Sequence, residues 1–69
     1  MATIQDALAE LLSALGYKRM AYIVKGEKRR IYLRTYADFI VKETRKQHGA
    51  DKARQIKARF DKLKQMGEL

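Results

Sequence analysis

The chain of 69 residues has no cysteine and no proline, and its 16 basic residues outnumber eight acidic ones, giving a net charge of +8. This length is that of one small domain, residues 1–69, near the size at which a single core is only marginally stable. The composition excludes a disulfide framework and thiolate chemistry. No signal peptide or membrane-spanning pattern is visible. We therefore expect a cytoplasmic protein, associated with the nucleoid if it is bacterial.

The charges are unevenly distributed along the chain. Residues 1–16 contain Asp6 and Glu10 but no lysine or arginine, so all 16 basic residues follow them. Such segregation is typical of a protein with one apolar element and one surface that faces a polyanion. Because a strongly positive surface attracts phosphate backbones, we expect a nucleic acid as the partner.

The first predicted element is an amphipathic helix over residues 3–15. Thr3 and Asp6 have the spacing of a capping box, and Gly16 offers the left-handed residue that commonly ends a helix. We expect its apolar stripe to cover the apolar face of the next element, and dimerisation through the stripe is the alternative. The stripe consists of Ile4, Leu8, Leu11, Leu12 and Leu15.

Residues 18–35 are predicted to form a β-hairpin. Two runs of alternating apolar and polar residues flank Gly26 and Glu27, which is typical of two strands joined by a short turn. One face of this ribbon would be apolar and the other cationic. Like charges opposite each other destabilise a ribbon, so we expect something anionic to cover the basic face. That face would carry Arg19, Lys25, Lys28, Arg30, Tyr32 and Arg34.

Tyr32 has two interpretations in this hairpin. Among the arginines of the basic face, its ring would stack on an unpaired base or touch the sugar-phosphate backbone. Alternatively, it would lie under an arginine in a cation–π contact that needs no ligand. The sequence favours neither.

Two further helices are predicted over residues 36–48 and 52–66. Thr35 and Asp38 repeat the capping-box spacing, so Thr35 is expected to begin the first of them, and Gly49 is expected to end it. The predicted order is therefore α-β-β-α-α, an α+β fold in which a two-stranded antiparallel hairpin packs on helices.

The last predicted helix combines a narrow apolar stripe with many cations. Asp51 is a suitable N-cap, and Ala53, Ile56, Phe60 and Leu63 recur at steps of three and four residues. Its cations indicate either a helix that follows phosphates or a solvated face. They are Lys52, Arg54, Lys57, Arg59, Lys62 and Lys64.

Catalytic chemistry is not expected. His48 is the single histidine, the acids are scattered, and no nucleotide-binding or zinc-protease motif is present. A histidine at a helix end is typical of an interaction with the helix dipole. We expect no enzyme activity, no metal, no cofactor and no small-molecule substrate.

Three architectures are compatible with the predicted elements. The last two helices would read DNA, or the hairpin would enter a groove as a basic ribbon. In the third, the order strand, helix, helix over residues 29–66 resembles that of ribbon-helix-helix repressors. That resemblance, which is one of element order, implies strands paired across a dimer, with Arg30, Tyr32 and Arg34 facing outward.

The favoured function is that of a small DNA-binding protein, a transcriptional regulator or an architectural factor, with DNA preferred over RNA. Contacts with phosphates would come from both the hairpin and the last helix, and contacts with bases from Arg30, Tyr32 and Arg34. The alternative is a protein-interaction module, an inhibitor or adaptor that docks its basic face on an acidic protein. A homodimer is compatible with either function, and a membrane is not expected as a partner. The residues expected to contact phosphates are Lys18, Arg19, Lys25, Lys28, Lys52, Arg54, Lys57 and Arg59.

Overall fold

The computed structural model describes residues 3–17 and 26–69, and it contains three helices in these ranges. We number them α1 (Ile4–Ala14), α2 (Gly26–His48) and α3 (Ala50–Gln65). Neither range contains a β-strand. The described parts of the chain are therefore all-helical, and the predicted α+β class is wrong.

The ends of α1 confirm the predicted signals. The N–H of Asp6 donates to Thr3 Oγ1 at 3.0 Å, and the N–H of Thr3 donates to the Asp6 carboxylate at 3.1 Å, which completes the capping box. At the other end, the N–H of Tyr17 donates to the carbonyl of Leu12 at 2.9 Å. Gly16 makes this turn possible with a positive φ of 110°.

The main correction concerns the predicted hairpin over residues 18–35. Its turn at Gly26 and Glu27 and its second strand belong to α2, which continues without a break to His48. The buried residues explain this, because they recur every three or four positions from the first turn of α2 until its last turn begins. They are Arg29, Leu33, Ala37, Ile40 and Thr44. The first predicted strand, residues 18–25, lies outside the described residues.

Two further predictions depended on the second strand of the hairpin, and they are wrong as well. Thr35 lies in the middle of α2 and caps no helix, and the predicted helix over residues 36–48 is the second half of a longer one. The element order of ribbon-helix-helix repressors is also absent, because residues 29–48 form a single helix. A basic ribbon that enters a DNA groove is therefore not a feature of the described structure.

A single residue, Gly49, connects α2 to α3. It serves as the N-cap of α3 with φ 94° and ψ 167°, a conformation that essentially only glycine adopts. Asp51, the predicted N-cap, lies instead in the first turn and forms an ion pair with Arg54. The tight connection makes α2 and α3 an antiparallel helical hairpin.

The three helices share one apolar core. Leu8 and Leu12 of α1 are fully buried, as their leucine stripe predicted, but the stripe packs on the α2–α3 pair and not on a hairpin. Thr44 is the only uncharged polar residue among the buried ones of the described chain, and its hydroxyl donates to the carbonyl of Ile40 at 2.7 Å. The core cluster comprises Leu8, Ala9, Leu12, Leu33, Ala37, Ile40, Ile56, Phe60 and Leu63.

Polar contacts fix the direction of α1 on this pair. Near its N-terminus, Arg29 of α2 forms an ion pair with Asp6 and donates through Nε to Gln5 Oε1 at 3.2 Å. Near its C-terminus, His48 Nε2 lies 3.2 Å from the carbonyl oxygen of Leu15. The start of α1 therefore lies at the start of α2, and the two helices run in the same general direction.

Candidate nucleic-acid interface

A groove lies between α2 and α3, and most of the charged residues that line it are cations. It has a volume of about 280 Å³, and the described residues that line it all belong to α2 and α3, so α1 contributes nothing to its lining. We call it the basic groove. Its lining residues are Ala37, Asp38, Val41, Lys42, Arg45, Lys57, Phe60, Asp61 and Lys64.

The lining follows from helical spacing beside the buried stripes. On α3, Lys57, Asp61 and Lys64 recur at steps of four and three residues, so they lie on one flank of the core residues. On α2, Asp38 and Arg45 lie seven residues apart on the facing flank. Because the helices are antiparallel, these two flanks form the walls of the groove.

Cations outnumber carboxylates in this lining. Asp61 forms an ion pair with Lys57, with 3.2 Å between Lys57 Nζ and Asp61 Oδ2. By contrast, Lys42, Arg45 and Lys64 form no ion pair with any described residue. Arg34, one turn before Asp38 on α2, is likewise exposed and unpaired within the described ranges. The walls of the groove therefore carry several solvent-exposed cations that have no ion-pair partner among the described residues.

The structure separates the residues that were predicted to act together. Lys57 lies in the basic groove, and Arg34 lies close to it along α2. Arg30 is engaged by Glu27, at 3.0 Å and 3.3 Å from its two carboxylate oxygens. Lys18, Arg19 and Lys25 fall outside the described residues.

Tyr32 does not lie on the basic groove. It is half-buried against the core, and its ring packs on that of Tyr36, with 4.6 Å between centroids and 44° between planes. In a strand it would have shared a face with Arg30 and Arg34, but in a helix the two-residue step rotates it away from them. Neither the base-stacking nor the arginine-stacking interpretation describes this contact.

The remaining predicted residues lie elsewhere on the helices. Lys28 is exposed on α2, and Arg54 is exposed on α3 with Asp51 as its partner. Lys52 and Arg59 lie seven residues apart on the flank of α3 that faces away from the groove. The described members of the predicted phosphate-contacting set are therefore dispersed, and of these only Lys57 lines the groove.

The sequence-based site omitted Lys42, Arg45 and Lys64. The missing signal on α2 was its register: once Leu33, Ala37 and Ile40 are taken as one buried stripe, Arg45 falls on the flank that faces α3, and Lys42 lies further round towards the outer surface. The register could not be assigned in this way while residues 28–35 were taken as a strand.

A second depression, of about 400 Å³, lies where the start of α2 meets the two ends of the described chain. Glu27 and Glu68 line it together with Arg30, so it does not extend the positive surface.

Within residues 3–17 and 26–69, no group of acidic or histidine side chains is arranged to hold a metal ion. No helix in these ranges combines the length and apolar character needed to cross a membrane.

Comparison with protein-family models, with curated proteins and with solved structures finds no match for this chain. Arguments about its function therefore depend on the geometry and charge of the site. The assignment to transcription regulation rested on the basic hairpin, and it has no support in the helical fold.

Proposed function

We propose that this protein binds nucleic acid, with duplex DNA preferred over RNA, by placing the basic groove of α2 and α3 against the phosphate backbone. The observation that carries the proposal is the presence of Arg45 and Lys64 in the groove and of Arg34 beside it, exposed cations without an acidic partner among the described residues. Such cations release bound counterions when they meet phosphates, which favours association.

The distribution of charge over the helices supports a single binding face. Residues 26–65, which form α2 and α3, hold 13 basic and five acidic residues, whereas α1 holds two acids and no base. The side of the pair that α1 covers therefore gains no cation from α1. A polyanion is attracted instead to the exposed surfaces of α2 and α3, between which the groove lies.

The groove is suited to contacts with phosphates more than with bases. Its one aromatic side chain, Phe60, is 2% exposed and offers no ring for stacking. Asp38 and Asp61 lie on the same walls and repel anions, so the phosphates would contact the longer, flexible cationic side chains. Binding of this kind recognises the backbone and carries little sequence information.

The proposal is tested by fluorescence-anisotropy titration of a random duplex DNA with two triple variants. In the first, Arg45→Ala, Lys57→Ala and Lys64→Ala remove the groove cations. The control, Lys52→Ala, Arg59→Ala and Lys62→Ala, removes the same charge and the same residue types from other faces of α3. We expect the groove variant to bind about tenfold more weakly or worse, and the control to change Kd by less than about threefold.

An equal loss in both variants would contradict the proposal, because affinity would then follow net charge alone. The same titration with polyglutamate as a competitor addresses the alternative, an inhibitor or adaptor that docks on an acidic protein. An exposed leucine face on α1 would have favoured that alternative, but Leu8 and Leu12 are fully buried. Competition by polyglutamate as strong as that by unlabelled DNA of equal charge would support the alternative.

A further inference from the structure

The outer face of α2 carries an apolar patch that no other described element covers. Ile31 is 46% exposed, Tyr36 45% and Phe39 58%, and they share this face with Tyr32 and Thr35. Ile31, Thr35 and Phe39 follow one another at steps of four residues, so they form a continuous ridge along the helix. We call these five residues the outer patch.

The charges beside the outer patch are arranged symmetrically about Thr35. The pair Glu27 and Lys28 precedes it, and the pair Lys42 and Glu43 follows it in reversed order. Thr35 lies seven residues from either lysine and eight from either glutamate. Such a pattern is complementary to itself when the direction of the helix is reversed.

We propose that a second copy of this chain covers the outer patch, with the two α2 helices antiparallel about a twofold axis at Thr35. With a rise of about 1.5 Å per residue, this axis places Lys28 at almost the same height as the partner's Glu43. Viewed down the helix, Lys28 and Glu43 lie on the same side of Thr35, and Glu27 and Lys42 lie on the other. Each lysine therefore meets a carboxylate, and twofold symmetry makes every such pair occur twice.

The ion pairs within the protomer are consistent with this arrangement. Lys28 and Lys42 are exposed and form no ion pair with a described residue. Glu43 is held near the face by Lys46, 3.8 Å away, and by Gln47, which donates to it at 3.4 Å. Glu27 already pairs with Arg30 in the protomer, 3.0 Å away, so in the dimer Lys42 shares the partner's Glu27 with the partner's Arg30, and Lys28 gains the partner's Glu43.

The apolar contact follows from the same axis. Phe39 lies at nearly the same height as the partner's Tyr32 and on the same side of Thr35, so the two rings meet. A crossing angle of about 20°, as in helical bundles, keeps the helices in contact from Lys28 to Glu43. This symmetry also leaves the basic grooves of both copies on the same side of the dimer.

The test is sedimentation equilibrium of the full chain at low salt, where we expect a weak dimer with Kd on the order of 100 µM. Lys28→Glu and Glu43→Lys should each weaken the dimer by about tenfold, because each creates two like-charge contacts. The double variant exchanges the charges and should restore Kd to within about threefold of the wild type. Lys62→Glu and Glu10→Lys repeat the same charge changes outside the interface and should leave Kd unchanged.

A monomer at about 1 mM would overturn the proposal, and so would a double variant that dimerises no better than the single ones. Phe39→Asn provides a second measurement, because this exposed side chain can be replaced without disturbing the core. Its far-ultraviolet circular dichroism should match that of the wild type while dimerisation is lost. A Phe39→Asn variant that still dimerises would place the interface elsewhere.

Discussion

Arg29 shows how a charged residue can occupy a core position. It is 9% exposed, yet its guanidinium reaches the Asp6 carboxylate and the Gln5 amide oxygen at the start of α1. Gln5 in turn donates through Nε2 to the carbonyl of Glu68 at 3.4 Å. These contacts tie together the start of α1, the start of α2 and the chain beyond α3.

The ion pair predicts an acid dependence of stability. Hydrogen bonds from the Thr3 backbone and from Arg29 lower the pKa of Asp6 from 3.8 to about 2. Because this pKa is lower in the folded chain than in the unfolded one, the carboxylate stabilises the fold above about pH 4 and loses this contribution as the pH falls towards 2. Urea unfolding followed by circular dichroism should therefore show Asp6→Asn to be less stable by a constant amount at neutral pH, and this difference should shrink below about pH 4. A difference that stays constant down to pH 2 would contradict the role of the pair.

At the scale of elements, the register of α2 distinguishes the helix from the predicted strand. A hairpin places Ile31 and Leu33 together on its apolar face, whereas α2 leaves Ile31 46% exposed and buries Leu33 completely. We expect Leu33→Ala to lower the free energy of unfolding by about 2–5 kcal/mol and Ile31→Ala by less than about 1 kcal/mol. Denaturant unfolding at low protein concentration measures both. Equal losses of unfolding free energy for the two variants would favour the predicted strand over the helix.

The connection between α2 and α3 depends on Gly49. A Cβ at this position would meet no atom within 4 Å, so the cost of a side chain would come from the backbone alone. We expect Gly49→Ala to lower the free energy of unfolding by about 1–3 kcal/mol, because an L-residue rarely adopts φ 94° with ψ 167°. D-alanine at the same position, introduced by chemical synthesis, has the mirror-image preference and should restore the stability. Thermal unfolding that shows equal losses for both residues would contradict this explanation.

The sequence predicted the elements whose local signals agree with their packing. The capping box of Thr3 and Asp6 and the leucine stripe located α1, and the stripe from Ala53 to Leu63 located α3. The sequence-based prediction failed for α2, because residues 30–34 alternate between polar and apolar side chains, while Arg29 and Leu33 lie one helical turn apart. A short segment of this kind satisfies both periods, and only packing against α1 and α3 selects the helix. Burial of an arginine was not predictable, since it depends on the distant Asp6.

At the scale of the whole molecule, the separation of charge was predictable although the architecture was not. The sequence placed two acids in the first helix and all the basic residues after it. The fold turns this linear separation into a spatial one by packing α1 on one side of the α2–α3 pair. Which cations share a face depends on the tertiary arrangement, and the basic groove therefore replaces the predicted ribbon as the candidate interface.

The most direct test of the proposed function is the salt dependence of DNA affinity. We would measure Kd for a random duplex by fluorescence anisotropy between about 50 and 200 mM NaCl, for the wild type and for the Arg45→Ala, Lys57→Ala, Lys64→Ala variant. Phosphate contacts by Arg34, Arg45, Lys57 and Lys64 predict a slope of log K against log salt of about −4 for the wild type, and a slope shallower by about 3 for the variant. A wild-type affinity that does not change with salt, or a slope unaffected by the loss of the three cations, would contradict the proposal.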